Sequence, residues 1–338
     1  MGSRKKGKHS FQPESPPVIT AWASVAGKKE AEGPLGHCFD ITGKDTLFGQ
    51  KSWEQAERKM QELAINTLIK KGDLEMEDLD VVFSGDLLNQ CIGSSFTLRN
   101  TGIPHIGLYG ACSTMAESLL LAALAIDAGI ADRAVAMTSS HFASSERQYR
   151  FPLGYGGQRT PTAQWTVTGS GAVLLCASGK GPRIESATIG TVTDLGITDA
   201  NNMGAAMAPA ALATIRTHFS DMKTGPEDYD LIVTGDLGQL GKELLLELAR
   251  KEGLCLGGKL IDCGTLVFDP QKQDVHSGGS GCGCSAITLC GHLLPKLQKG
   301  SIRKILFCGT GALLSPTSTQ QGLPIPGVCH AVCITGGN

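Results

Sequence analysis

The chain is poor in three things. Only 5% of its 338 residues are aromatic, only 18% are charged, and the formal net charge is −2. A balance so close to zero gives no electrostatic pull toward nucleic acid, and no nucleic-acid partner is expected. Long apolar runs are missing too. The longest, residues 119–126, falls well short of the roughly 20 residues a bilayer-spanning helix needs. The opening MGSRKKGKHS has no apolar h-region, so no secretory leader is expected. A soluble or peripheral chain follows. In that setting the twelve cysteines, scattered through apolar runs as at Cys176 and Cys308, read as reduced core residues and not as a disulfide framework.

Small and apolar residues are plentiful. There are 44 glycines, and 41% of the chain is hydrophobic. Ser52, with Gln55 three residues on, has the pattern of a helix cap. Trp53, Ala56, Met60, Leu63, Ala64 and Leu68 then recur at helical spacing, and Gly72 ends the run. Short apolar segments at 17–24, 79–84, 102–108, 134–139 and 172–177 read as strands. The segment 113–129 carries only Glu117 and Asp127 as charges. A helix apolar on nearly all sides belongs between two layers. This alternation predicts an α/β fold with buried sheets.

The second half repeats the first. Asp78–Leu87 and Asp228–Leu237 match at five of ten positions, and Cys112–Ser113 finds an echo in Cys284–Ser285. The expected organisation is a disordered basic tail over 1–15, with Arg4, Lys5, Lys6 and Lys8, followed by halves at 16–180 and 181–338.

Within the first half stands Tyr109–Met115, reading YGACSTM. A Gly-Ala turn presents Cys112 where a buried helix begins. Helix N-terminal amides favour a thiolate there, and they equally favour a bound anion. Cys282, Cys284, Cys290 and His292 cluster in sequence, but single-residue spacers suit zinc poorly, so no metal and no cofactor are expected.

The turn, the duplication, TGSGA at 168–172 and GTGA at 309–312 together resemble the thiolase-like superfamily, which includes thiolases and ketoacyl synthases. YGACSTM, the segment QYRFPLGYGGQRTPTAQWTVTGSGA and the late PIPGV are similar to the stage V sporulation protein AD family. The resemblance implies a five-layer α-β-α-β-α sandwich, working as a homodimer. It further implies binding of dipicolinic acid (pyridine-2,6-dicarboxylate) by the soluble member of a membrane channel complex that loads this compound into spores. The implied partners are the other membrane subunits of that complex, and the implied location is peripheral, on the spore inner membrane. Calcium accompanying the ligand would be chelated by the ligand itself.

Condensing enzymes of this superfamily pair the cysteine with a His and a second His or Asn. The resemblance puts Cys112 at the first place. At the second, the loop reads TGDLGQ (234–239); at the third, SGGSGCGC (277–284); neither contains His or Asn. A carboxylate at Asp236 would raise a neighbouring thiol pKa and disfavour attack. Cys112 is therefore read as a relic nucleophile and the chain as non-catalytic. Asp86, the twin of Asp236 in the repeat, leaves open a shared structural role for both aspartates.

A planar dianion needs carboxylate donors and a flat slot. The expected pocket joins Cys112, Asp236, Gly279 and Gly311 to His141, Arg159 and His276. Arg147 and Arg150 add charge in the loop 141–159, and Tyr149, Phe151 and Tyr155 are candidate walls. The same loop reads equally as a dimer-contact or covering segment. Two alternatives stand beside this reading. One is an acyltransferase or thioesterase using Cys112 with His276 or His141 as base; the other is a structural partner with a vestigial pocket.

Overall fold

The duplicated pattern becomes a duplicated chain path in the computed structural model, which describes residues 4–149 and 159–337. The first half supplies β1 (Arg4–Lys6), β2 (Ser10–Gln12), β3 (Val18–Ala26), β4 (Ile41–Thr42), β5 (Val81–Gly85), β6 (His105–Leu108), β7 (Arg133–Ser140), β8 (Trp165–Thr166) and β9 (Gly169–Cys176). The second supplies β10 (Arg183–Thr188), β11 (Leu231–Thr234), β12 (Leu260–Asp262), β13 (Gly279–Ser280), β14 (Lys304–Ala312) and β15 (Gly327–Thr335). The helices in chain order begin α1 (Lys28–Ala31), α2 (Trp53–Gly72), α3 (Ile92–Leu98), α4 (Thr114–Asp127), α5 (Phe142–Tyr149), α6 (Met203–Met222), α7 (Gly238–Lys251), α8 (Cys263–Val267) and α9 (Cys282–Thr288).

Strand order is β12-β11-β14-β15-β10-β3-β9-β7-β5-β6, which reads the same way outward from its centre. On one side β7, β5 and β6 are parallel, with β9 antiparallel to β7. On the other, β14, β11 and β12 are parallel, with β15 antiparallel to β14. The two sides meet where β10 pairs with β3, at Arg183 and Val18. All five residues of β5 are buried, as expected of a strand covered on both faces.

Helices fill five layers with these strands. Outermost, α2 packs on β3 and β9, and α6 packs on β14 and β15. Between the sides, α4 touches β5 and β7 as well as β14 and β15, and α9 touches β7, β9 and β14. This explains the near absence of charge on α4: Met115, Leu119, Ala122 and Ala123 are fully buried in the central core. Each large side chain of this kind contributes about 1.5–3 kcal/mol. The Ser52 cap forms as expected, its Oγ accepting from Gln55 N at 3.3 Å.

Two expectations are corrected. From Arg4 onward the basic tail is ordered, as a β1–β2 hairpin whose second strand pairs with β10. The Asp221 carboxylate accepts from Lys8 N, His9 N and Ser10 Oγ, and Phe11 is buried beneath. Local lysine content suggested disorder, but a distant carboxylate and a core socket outweigh it. The segment after His141 is likewise not a plain loop, because it opens with α5. Arg150, Phe151 and Tyr155 lie outside the described residues. Among the described residues, no helix is long and apolar enough to cross a membrane.

Candidate functional site

Cys112 sits in a single 3-10 turn, Ala111–Ser113, that leads into α4. Ala111 takes a left-handed φ of 51°, unusual for a residue with a Cβ. The turn is tied by Ser113 Oγ donating to Gly110 O at 2.6 Å and Thr114 Oγ1 donating to Ala111 O at 2.7 Å. Strand β14 presses on it from the other half. A Cβ on Gly311 would lie 2.8 Å from Gly110 O and 3.0 Å from Ser113 N. Gly311 thus joins Cys112 as expected, by allowing close approach of two backbones.

Asp236, in the loop after β11, forms the floor beside Cys112. It is fully buried. Its Oδ1 accepts from Thr310 Oγ1 at 2.8 Å, and its Oδ2 accepts from Gly281 N at 2.9 Å and Ser280 Oγ at 3.3 Å. Burial pushes its carboxyl up to about 6, against the opposing pull of its hydrogen bonds. The Cys112 thiol is held well above the ordinary cysteine range, first by burial and then by the Asp236 charge. Gly279 belongs to the same wall. Gln164 Nε2 donates to its carbonyl at 2.8 Å and to Asp236 O at 2.7 Å.

The cavity at the thiol is small, about 40 Å³, and its lining includes Cys112, Tyr149, Thr166, Met203, Ser280 and Leu314. A water needs roughly 10–15 Å³ of such space, so the cavity takes no more than a few. Among the described residues, no cation and no imidazole line it.

The other three expected residues gather elsewhere. His141 is buried, with Nε2 2.7 Å from Thr46 O and Nδ1 accepting from Ala143 N at 3.2 Å. Burial lowers its pKa, and these partners define a neutral ring protonated on Nε2. Arg159 donates to Asp274 O and pairs with Asp274 Oδ1, both at 2.9 Å. His276 lies 3.3 Å from that same Asp274 oxygen. The expected single pocket is therefore two clusters, one at Cys112 and one around Trp165. Strand β8 separates the two: Thr166 faces the Cys112 cavity while Trp165 lines the other.

The twin aspartate is also placed. Asp86 accepts from Ser94 N and Ser94 Oγ, both at 2.8 Å, and from Leu88 N at 3.0 Å. It performs a loop-tying role like that of Asp236, with partners from its own half. Lys29, Gln164, Trp165 and Thr310 are the residues that sequence reasoning missed. Trp165 stood inside a quoted motif, and its indole was the available signal.

Residues 7–335 match the family described as Stage V sporulation protein AD. The chain belongs to that family. Stage V sporulation protein AD of Bacillus subtilis (strain 168) is 45% identical over 326 residues, covering 96% of this chain and 96% of its own. Among solved structures, 3-oxoacyl-(acyl-carrier-protein) synthase III of Aquifex aeolicus VF5 aligns over 94% of this chain and 99% of its own, with a TM-score of 0.56 and 13% identity. A variant of OleA from Xanthomonas campestris aligns over 95% and 98%, with a TM-score of 0.60 and 14% identity. At such low identity these neighbours speak to the fold alone, which is thiolase-like.

All eight histidines of the sequence fall within the described residues, and none lines the Cys112 cavity. Beside the Cys112 thiol stands a buried carboxylate, Asp236.

Proposed function

We propose that the chain binds dipicolinic acid without chemical turnover, as the soluble component of a spore membrane channel complex that takes up this compound. The observation that carries the non-catalytic part is the burial of Cys112 beside the Asp236 carboxylate, which together raise the thiol pKa well above the ordinary cysteine range. An unreactive thiol cannot attack a thioester. The ligand and the channel role come from family membership. Attachment to the spore inner membrane runs through the other channel subunits.

Calorimetric titration with dipicolinate tests this reading. Saturable binding is expected, with at least about ten-fold weaker binding of the isomer whose carboxylates stand at ring positions 3 and 5. Equal heats from both isomers, or none from folded protein, would refute it. Incubation with acyl-coenzyme A and intact-mass measurement tests the enzymatic alternative, for which no adduct at Cys112 is expected.

We also propose a homodimer formed across β6. This strand ends the sheet with an open edge, and Ile106, Tyr109, Ile92 and Phe96 beside it are exposed. An unpaired strand flanked by large apolar side chains is suited to pairing with a second copy.

A further inference from the structure

We propose that Asp236 sets the charge of what the Cys112 cavity accepts: a carboxylate ligand enters together with one proton from solvent, and Asp236 takes that proton. The inference rests on reading the chain as a binder of a planar dicarboxylate, and it says how that binding depends on pH.

Asp236 stands directly behind the cavity and is fully buried. Two of its hydrogen-bond partners, the Cys112 thiol and the Ser280 hydroxyl, belong to the lining. The carboxylate is also fixed in place. Thr310 Oγ1 donates to Oδ1 at 2.8 Å, and Gly281 N donates to Oδ2 at 2.9 Å. The cavity is about 40 Å³ as it stands, so a ring ligand seats there only as lining side chains give way, while the carboxylate stays behind them.

Nothing nearby offsets its charge. Among the described residues, no Lys, Arg or His lines the cavity. The titratable groups that face Asp236 are thiols and one more carboxyl. Cys112 comes from the turn before α4, Cys282 and Cys284 from α9, Cys263 from α8, and Asp262 from the end of β12. Thr310 on β14 and Gln164, which donates to Asp236 O, bring no charge. A dianion at the Cys112 turn would meet a buried anion across a short, poorly screened distance. Neutralising Asp236 removes that repulsion at small cost, because burial already holds its carboxyl up to about 6. The neutral acid fits the same partners. A protonated Oδ2 can donate to the Ser280 hydroxyl, which turns to accept, while Thr310 and Gly281 go on donating.

A bound anion raises the Asp236 value further, so the complex holds more protons than free protein and free ligand together. Affinity is therefore greatest below about pH 6 and is lost as pH rises through that value, by up to about ten-fold per pH unit. Cys112 and Tyr149, the titratable groups of the lining, are held well above their ordinary values and stay protonated throughout.

The full chain is titrated calorimetrically with dipicolinate between pH 6 and pH 8, in pairs of buffers whose ionisation enthalpies differ. Binding is expected to weaken at least about ten-fold across that range, with about one proton taken up per ligand at pH 7. Asp236→Asn, checked by its melting curve, should bind equally at both ends of the range and take up no proton. Leu314→Lys, which brings a cation to the lining, should reduce the fall to within about three-fold. If Asp236→Asn does not fold, the wild-type proton count and Leu314→Lys decide. Constant affinity without proton uptake in the wild type would overturn the coupling and leave the dipicolinate reading standing. Uptake retained in Asp236→Asn would overturn the assignment to that residue. No binding at any pH by folded protein would overturn both.

Discussion

Thr310 Oγ1 donates to Asp236 Oδ1 at 2.8 Å, and the same hydroxyl accepts the Asp236 backbone N–H at 3.0 Å. One side chain on β14 thereby fixes both the carboxylate and the loop that carries it. The pair is fully buried, so neither group has water as a substitute. Replacing the hydroxyl by a methyl in Thr310→Val strands two polar groups. The expected cost is about 1–3 kcal/mol per stranded group, read as a lower urea midpoint at constant slope.

The contact of β14 with the Cys112 turn yields a second prediction. Gly311→Ala places a methyl 2.8 Å from Gly110 O, and backbone must move to accept it. A loss of about 1–3 kcal/mol is expected, with altered near-ultraviolet signal from Tyr109 and Tyr149, which are hydrogen-bonded to one another at 2.8 Å. Unchanged stability would mean that the two halves are not in close contact there.

Much of this was legible in the sequence, because it depends on local pattern. Met60, Ala64 and Leu68 announced α2, the bare apolar run of α4 announced its central layer, and the Asp86 and Asp236 repeat announced the duplication. The partners of Asp236 were not legible. Thr310 lies 74 residues away and Gly281 lies 45 away, and no spacing rule links them. Arg159 and His141 were expected beside Cys112 and lie around Trp165 instead. Their partners Asp274 and Thr46 lie 115 and 95 residues away, and no spacing rule reaches them.

Buried carboxyls set the pH dependence of stability. Glu57 is pushed up to about 8, Glu30 and Asp262 to about 7, and Asp236 to about 6, in each case chiefly by burial. Each folded-state value lies above the unfolded one, so the folded protein holds more protons in the interval between them. Their stabilising contribution is present below about pH 4 and is lost as pH rises through 6 to 8. The buried histidines, whose folded values are lowered, oppose this only up to about pH 6.5, so thermal midpoints should fall from pH 7 to pH 8. Glu57→Gln, which retains a polar partner for Ser139 and Ser144, should gain about 1–3 kcal/mol relative to wild type at pH 8 compared with pH 5. A midpoint rising from pH 7 to pH 8 would contradict the assignment.

The open edge of β6 predicts the oligomeric state. Light scattering should give twice the chain mass, and Ile106→Lys, which sets a charge in the middle of the edge, should give the single-chain mass without loss of helical signal. A monomeric wild type would remove the homodimer.

The most direct measurement is the titration of the Cys112 thiol by site-resolved alkylation across pH, with exposed Cys255 in the same chain as the internal reference. Cys112 should remain unlabelled at neutral pH and react only well above pH 9, while Asp236→Asn should label faster than wild type. Labelling of wild-type Cys112 near pH 7 ahead of Cys255 would show an activated thiolate and contradict the account.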